Sequence, residues 1–185
     1  MPVIELSILI KAPVGRVFDL SRSIDLHVVS TASTGESAVA GVTSGLIGMG
    51  EEVTWHARHF GVWQRLTSRI TAYERPRHFR DSMVRGAFAR FDHDHHFEPH
   101  GPDGTHTLMR DRFDFNSPLG PLGAVVDWLV LTSHLRNLLV RRNQVIKEAA
   151  EGGRWSDCLP LDQNPVTSRS PTPEPRRHPD QENAL

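Results

Sequence analysis

The feature that most constrains this fold is the alternation of apolar and polar residues that runs, with interruptions, from residue 53 to residue 116. Turn-forming residues separate the alternating segments at residues 59–61, at Gly86 and at residues 99–104. Alternation with a period of two is typical of strands that bury one face. Because consecutive strands joined by short turns pair antiparallel, the sequence predicts an antiparallel meander.

Shorter elements precede the meander. Pro13 suits the first position of a helix, and Ser23 can cap a second short helix. Residues 33–50 are rich in Gly, Ser, Thr and Ala, so only an edge strand is predicted there, at residues 39–42. The chain begins with a predicted strand over residues 3–11, in which the alternating apolar residues are Ile4, Leu6, Ile8 and Ile10.

After Pro118 the apolar spacing changes to the three- and four-residue intervals of an amphipathic helix, and it continues to about Glu151. Leu135, Leu138 and Leu139 lie on or beside its predicted inner face. Two glycines then end the pattern, and the remaining residues carry many prolines and little apolar periodicity. We therefore predict one domain at residues 1–151 and a disordered Pro-rich tail at residues 152–185.

Composition argues against several classes of function. Lys and Arg number 21 against 22 Asp and Glu, and they are interspersed, so no basic surface for nucleic acid is expected. The first apolar run is too short for a signal peptide or a membrane span. Cys158 is the only cysteine and cannot form an internal disulfide, which favours a reducing compartment. These features predict a cytoplasmic protein without a membrane span.

Several short sequence motifs, which follow one another in the order of the predicted elements, carry a family resemblance. They are AP with VF at residues 12–18, EVTW at 52–55, HFG at 59–61, FRDSM at 79–83 and PLGPLG at 118–123. Over residues 3–150 the chain resembles the SRPBCC superfamily, which contains START domains, birch-pollen allergens and bacterial polyketide cyclases. The resemblance implies an α+β helix-grip fold, a curved antiparallel sheet wrapped around a long C-terminal helix.

The resemblance also implies a cavity between sheet and helix that takes lipids, sterols, polyketides or hormones, depending on the member. It implies no particular reaction, because one scaffold hosts unrelated functions. No catalytic set common to these families can be transferred to this chain.

Strand pairing predicts polar residues on the apolar face of the sheet. A turn at residues 86–87 pairs Met83 with Phe91 and hence Asp81 with His93, and antiparallel partners share a face. The inner-face residues predicted for these two strands are Phe79, Asp81, Met83, Phe91, His93, His95 and Phe97.

The same register, extended through the next turn, places His93 beside Asp111 and His95 beside Met109. His93 would then lie between Asp111 and the carboxylate of Asp81. A nearby carboxylate favours the charged imidazole and burial opposes it, so the pattern leaves the protonation of His93 open.

We predict that the protein binds a hydrophobic or amphipathic small molecule, with its oligomeric state left open. Three alternatives remain: the polar residues simply satisfy one another, His93 and a carboxylate act as acid and base in a cyclase-, dehydratase- or hydrolase-like enzyme, or the chain is an interaction module without a small ligand. The predicted ligand-binding residues are Trp55, Phe79, Asp81, Met83, Phe91, His93, His95, Met109, Asp111 and Phe113.

The DHDHH run at residues 92–96 also suggests zinc, because imidazole and carboxylate are common zinc ligands. Strand alternation divides the run, with His93 and His95 facing inward and Asp92, Asp94 and His96 facing outward as solvated surface. Neither face offers more than three local ligands, so we predict no metal and no cofactor.

Other conspicuous residues have simple structural explanations. Trp55, His59, Trp63 and Trp128 are of types common in ligand pockets, but core packing is the more frequent explanation for them. Arg141 and Arg142, near the end of the predicted helix, could meet an acidic partner, but their favourable placement by the helix dipole is a sufficient reason for them.

Overall fold

In the computed structural model, which describes residues 2–116 and 131–159, the described strands form one curved antiparallel sheet. Its order is β1-β7-β6-β5-β4-β3-β2, so the predicted meander is present and the first strand closes back on the last. The strands are β1 (Val3–Ile10), β2 (Ser37–Gly41), β3 (Glu52–His59), β4 (Val62–Glu74), β5 (His78–Arg85), β6 (Arg90–His100) and β7 (His106–Asn116).

The β3–β4 hairpin shows how local sequence sets this topology. His59 pairs with Val62, which leaves a two-residue turn. Both turn residues have positive φ, 50° at Phe60 and 81° at Gly61. This is the backbone that a tight hairpin turn requires, and glycine adopts it without a steric penalty.

Two short helices follow β1, as predicted. Helix α1 (Val14–Ser21) starts directly after Pro13. Helix α2 (Ile24–Ser30) is capped by Ser23, whose hydroxyl accepts a hydrogen bond from the Leu26 N–H at 3.3 Å. A cap of this kind satisfies one of the backbone donors that a helix leaves unpaired at its start.

Helix α3 (Thr132–Glu151) is the described part of the predicted closing helix and packs against α1, α2 and β1. Its predicted beginning, from Pro118, lies outside the described residues. Together the curved sheet and α3 form the helix-grip α+β fold that the sequence predicted. No helix within residues 2–116 and 131–159 is long and apolar enough to cross a membrane.

The folded structure continues past residue 151, where the domain was predicted to end. Gly153–Cys158 forms a 3-10 helix, and Leu159 is buried in the larger core cluster. The Trp155 ring packs against the same cluster, with the Arg16 guanidinium 4.2 Å from its centroid. Trp155 and Leu159 thus contribute to the core, although neither belongs to a helical or strand periodicity in the sequence. The rest of the predicted tail, residues 160–185, lies outside the described residues.

The buried apolar side chains form two clusters. In the larger cluster, the Phe18 ring of α1 packs edge-on against the rings of Tyr73, Phe79 and Phe97, with ring centroids 5.3–5.5 Å apart. The smaller contains Ile4, Phe91, Phe113 and Phe115, with half-buried leucines of α3 against it. Members of both clusters line the same cavity.

Candidate ligand cavity and its polar cluster

A cavity of about 460 Å³ lies between the sheet and α3. This volume falls within the roughly 300–1,000 Å³ of typical small-molecule sites. Its apolar lining comes mainly from the sheet and α3 and includes Trp55, Leu66, Ile70, Phe79, Phe91, Phe113, Leu131, Leu135, Leu138 and Leu139.

The structure places the ten predicted ligand-binding residues in different surroundings. Met109 is fully buried in the larger core cluster, and Met83 packs half-buried against the smaller one. Asp111 is 2% exposed and contacts both inner histidines without lining the cavity. The predicted residues that line the cavity are Trp55, Phe79, Asp81, Phe91, His93, His95 and Phe113.

Strand register explains which residues meet. Between β5 and β6 the pairing is as predicted, with Asp81 opposite His93. Between β6 and β7 the prediction was wrong by two residues, because Asp111 lies opposite His95 and Phe113 opposite His93. The turn decides this, since β6 extends to His100 and pairs there with the first residue of β7. A shift of two residues preserves the face, so the inner-face assignment holds.

Two carboxylates and two imidazoles form a compact group, which we call the inner cluster: Asp81, His93, His95 and Asp111. The Nδ1 of His95 is 2.6 Å from Oδ1 of Asp111, and its Nε2 is 3.3 Å from Oδ1 of Asp81. The Nδ1 of His93 is 3.6 Å from Oδ1 of Asp81, and its Nε2 is 3.4 Å from Oδ1 of Asp111. Each imidazole therefore bridges the same two carboxylates.

Aromatic packing holds both imidazoles in place. The Phe79 ring stacks on His95 with centroids 4.3 Å apart, and the Phe113 ring meets His93 edge-on at 5.1 Å. The two imidazole centroids are themselves 3.9 Å apart. The rings are buried, so their orientation is set by packing as well as by the carboxylates.

The surroundings change the acid–base properties of the inner cluster. Burial and the neighbouring His95 lower the pKa of His93 below its ordinary value, although the two carboxylates partly oppose this. Burial raises the pKa of Asp111, but the adjacent imidazoles of His93 and His95 outweigh burial and hold the pKa well below the ordinary range. For Asp81, the hydrogen bond with His95 and the charges nearby likewise outweigh burial and lower the pKa. Both carboxylates are therefore ionised at neutral pH.

Helix α3 supplies two polar residues that sequence analysis did not assign to the site. The Asn143 side-chain amide donates a hydrogen bond to Oδ2 of Asp111. The buried Arg142 lines the cavity, donates from Nη2 to the Ser21 carbonyl at 2.7 Å and approaches Asp111 with Nη1 at 3.9 Å. Its Nη1 has no hydrogen-bond partner among the described residues.

The helix dipole is therefore not a sufficient explanation for Arg142, because a buried guanidinium needs a counter-charge such as Asp111. A signal for this position was available in the sequence. Arg142 follows Leu139 by three residues and precedes Ile146 by four, which is the spacing of the buried face.

The tryptophans and other histidines are divided between the cavity and the surface. Trp55 lines the cavity and stacks on His27 at 4.2 Å. Trp63 is 55% exposed, and Trp128 lies outside the described residues. His59 and His134 also line the cavity, with Nδ1 of the first 3.2 Å from Nε2 of the second.

Outward-facing residues of β5 and β6 form a second group, the outer cluster: His78, Asp94 and His96. Asp94 is 3% exposed rather than solvated as predicted, because both its oxygens accept hydrogen bonds from Arg80 at 2.8 and 2.9 Å. His78 contacts the same carboxylate at 2.8 Å and stacks on His96. The outer cluster is thus an ion-pair network covered by Arg80.

Solved structures of similar fold are numerous, although no curated protein matches the sequence. Protein TTHA0849 from Thermus thermophilus has a TM-score of 0.62 and 18% identity, covering 80% of this chain and 99% of its own. A START superfamily protein from Mycobacterium smegmatis has a TM-score of 0.60 and 12% identity, covering 79% and 97%. The Zhui aromatase/cyclase from Streptomyces sp. R1128 has a TM-score of 0.56 and 14% identity, covering 82% and 98%.

Identities this low establish the shared fold alone. The family follows from the sequence itself, because residues 1–151 match the model of the family described as polyketide cyclase / dehydrase and lipid transport. That match spans every element of the sheet and all of α3. The chain therefore belongs to the polyketide cyclase / dehydrase and lipid transport family.

Proposed function

We propose that this protein binds a small, mainly apolar molecule with an oxygen-bearing polar group in the cavity between the sheet and α3. The observation that carries the proposal is the cavity of about 460 Å³, whose aromatic and aliphatic wall is interrupted by buried polar side chains. Apolar walls with a few convergent polar groups are the usual composition of a small-molecule site. The family description, which names both lipid transport and polyketide cyclisation, supports the same class of ligand.

One buried polar atom indicates what the ligand would offer. The Nη1 of Arg142 has no hydrogen-bond partner among the described residues, and this side chain lines the cavity. A buried polar group without a partner costs about 1–3 kcal/mol. A carbonyl, carboxylate or phenolic oxygen on the ligand would accept from Arg142 and recover part of that cost.

The proposal can be tested by blocking the cavity. Leu138 lines it, whereas Val140 on the same helix is exposed and does not. We expect Leu138→Trp to weaken binding of the fluorescent probe 1-anilinonaphthalene-8-sulfonate by about tenfold or more, which corresponds to about 1.4 kcal/mol. The matched control Val140→Trp should bind the probe as the wild type does. Equal binding by all three proteins would contradict the proposal.

A second candidate function is acid–base conversion of the bound molecule, favoured by the 2.6 Å contact between His95 and Asp111. In such a pair Asp111 orients the imidazole, and the opposite nitrogen, Nε2, would exchange a proton with the substrate in place of its 3.3 Å contact with Asp81. A compound retained by the protein can be identified by native mass spectrometry and incubated with fresh protein. Conversion should fall by about 10²–10⁴-fold in His95→Gln, while probe binding persists. Recovery of the compound unchanged from wild type would contradict this candidate.

A further inference from the structure

Three members of the inner cluster present ligand atoms to a common point. We propose that Asp81, His93 and His95 bind one divalent transition-metal ion, with open coordination positions toward the cavity. The prediction of no metal counted ligands within β6 alone, whereas strand pairing adds Asp81 of β5 to the two histidines. The three ligand atoms lie within 4.8 Å of one another.

The distances suit coordination. Oδ1 of Asp81 lies 3.3 Å from Nε2 of His95 and 3.6 Å from Nδ1 of His93. Ligands about 2.0–2.2 Å from an ion at tetrahedral or octahedral angles are themselves roughly 3.0–3.6 Å apart. Two of the three separations therefore already match those between metal ligands, and the third, between the two imidazole nitrogens, is at most 4.8 Å.

Asp111 supplies the support that metal-binding histidines usually have. It lies 2.6 Å from Nδ1 of His95 and 3.4 Å from Nε2 of His93, the nitrogens opposite the proposed ligand atoms. A ligating histidine commonly donates its second N–H to a carboxylate, which directs the lone pair of the other nitrogen toward the metal. Here Asp111 contacts His95 at hydrogen-bond distance, lies 3.4 Å from His93 and is itself held by Asn143.

The charges of the inner cluster are compatible with a bound cation. If both imidazoles are neutral and their second N–H groups face Asp111, their remaining lone pairs point at the carboxylate of Asp81. If only His95 is protonated, a single positive charge lies between the two carboxylates. A divalent ion between the three ligand atoms would accept both lone pairs and balance both negative charges.

The outer cluster, on the opposite face of β5 and β6, provides a contrast. His78, Asp94 and His96 also bring three ligand atoms together. Both oxygens of Asp94 are engaged by the Arg80 guanidinium, which supplies the positive charge there. In the inner cluster Arg142 approaches one Asp111 oxygen at 3.9 Å, and within the described residues no guanidinium hydrogen-bonds to either carboxylate. The charge distribution therefore favours an ion at the inner cluster.

Two imidazoles and one carboxylate with open positions form the donor set of many catalytic zinc and non-haem iron sites. The expected ion is accordingly a first-row divalent ion such as Zn²⁺ rather than Ca²⁺ or Mg²⁺, which prefer oxygen ligands. This inference goes beyond apolar ligand binding and does not depend on it, so the metal alone serves as the probe.

The test uses the untagged full-length protein after treatment with a chelator. Titration with Zn²⁺, followed by calorimetry, and with Co²⁺, followed by its visible absorption, should show one ion bound per chain. Asp81→Asn is nearly isosteric at a half-buried position and should weaken Zn²⁺ binding by roughly 10–100-fold or more. His93→Gln serves the same purpose if Asp81→Asn does not fold. His96→Gln in the outer cluster is the matched control and should bind as the wild type does.

Two results would overturn the inference. One is a wild-type protein that binds neither ion with defined stoichiometry. The other is an affinity unaffected by Asp81→Asn and His93→Gln, or lowered only by His96→Gln, which would place the ion elsewhere. Binding of the fluorescent probe is measured in parallel, so loss of the metal site and loss of the ligand cavity are distinguished.

Discussion

Leu138 and Ile146 occupy the inward-facing side of α3 and should respond differently to replacement by alanine. Ile146 is 2% exposed within the larger core cluster. Leu138 is half-buried and lines the cavity. The two variants remove the same number of carbon atoms from the same helix, so their comparison isolates the effect of the cavity.

The expected magnitudes follow from this difference. Each substitution removes three carbon atoms, worth about 0.8 kcal/mol apiece when fully buried, or about 2.4 kcal/mol together. At Ile146 a new void adds to that loss, and the total should reach about 3–4 kcal/mol, within the range of buried large-to-small substitutions. At Leu138 part of the side chain already borders empty space and no new enclosed void forms, so the loss should be about 1 kcal/mol.

Urea titration of the wild type and the two variants measures both free energies of unfolding, provided that the slope with denaturant is unchanged. Leu138→Ala should also retain binding of the fluorescent probe, because it widens the cavity rather than filling it. If Leu138→Ala cost as much as Ile146→Ala, the leucine would be packed as core and would not border an open cavity.

Two further predictions concern the C-terminal segment and acid stability. A stop after Gly153 removes Trp155 and Leu159 from the core and should lower the thermal midpoint by roughly 4–10 °C, whereas a stop after Leu159 should leave it nearly unchanged, and equal midpoints would contradict the docking of this segment. The free energy of unfolding should decrease as pH falls below about 6.5, because the pKa of His93 is lowered in the folded state and the unfolded chain takes up the proton first. His93→Gln should flatten part of that decrease in urea titrations between about pH 7 and pH 5, and an identical slope in both proteins would count against a neutral buried imidazole.

Much of the fold could be predicted from the sequence because the relevant interactions are local. Alternation with a period of two specifies which side of a strand is buried, and it correctly placed His93 and His95 on the inner face. The β3–β4 hairpin turn and the Ser23 cap depend on neighbouring residues and were likewise predictable. The short 3-10 helix of residues 153–158 was missed because its burial depends on two isolated side chains without periodicity.

The sequence alone thus determined the order of the elements and the faces that their side chains occupy. For the β6–β7 pair and for α3, only the tertiary structure decided which residues meet across those faces. The β6–β7 register depends on how the chain turns after His100, and a shift of two residues moved Asp111 from His93 to His95 without changing its face. Arg142 and Asn143 reach Asp111 from a helix more than thirty residues away in the chain, a distance that no local pattern can encode. The polar cluster is therefore a product of long-range packing, which sets the separations that binding and proton transfer require.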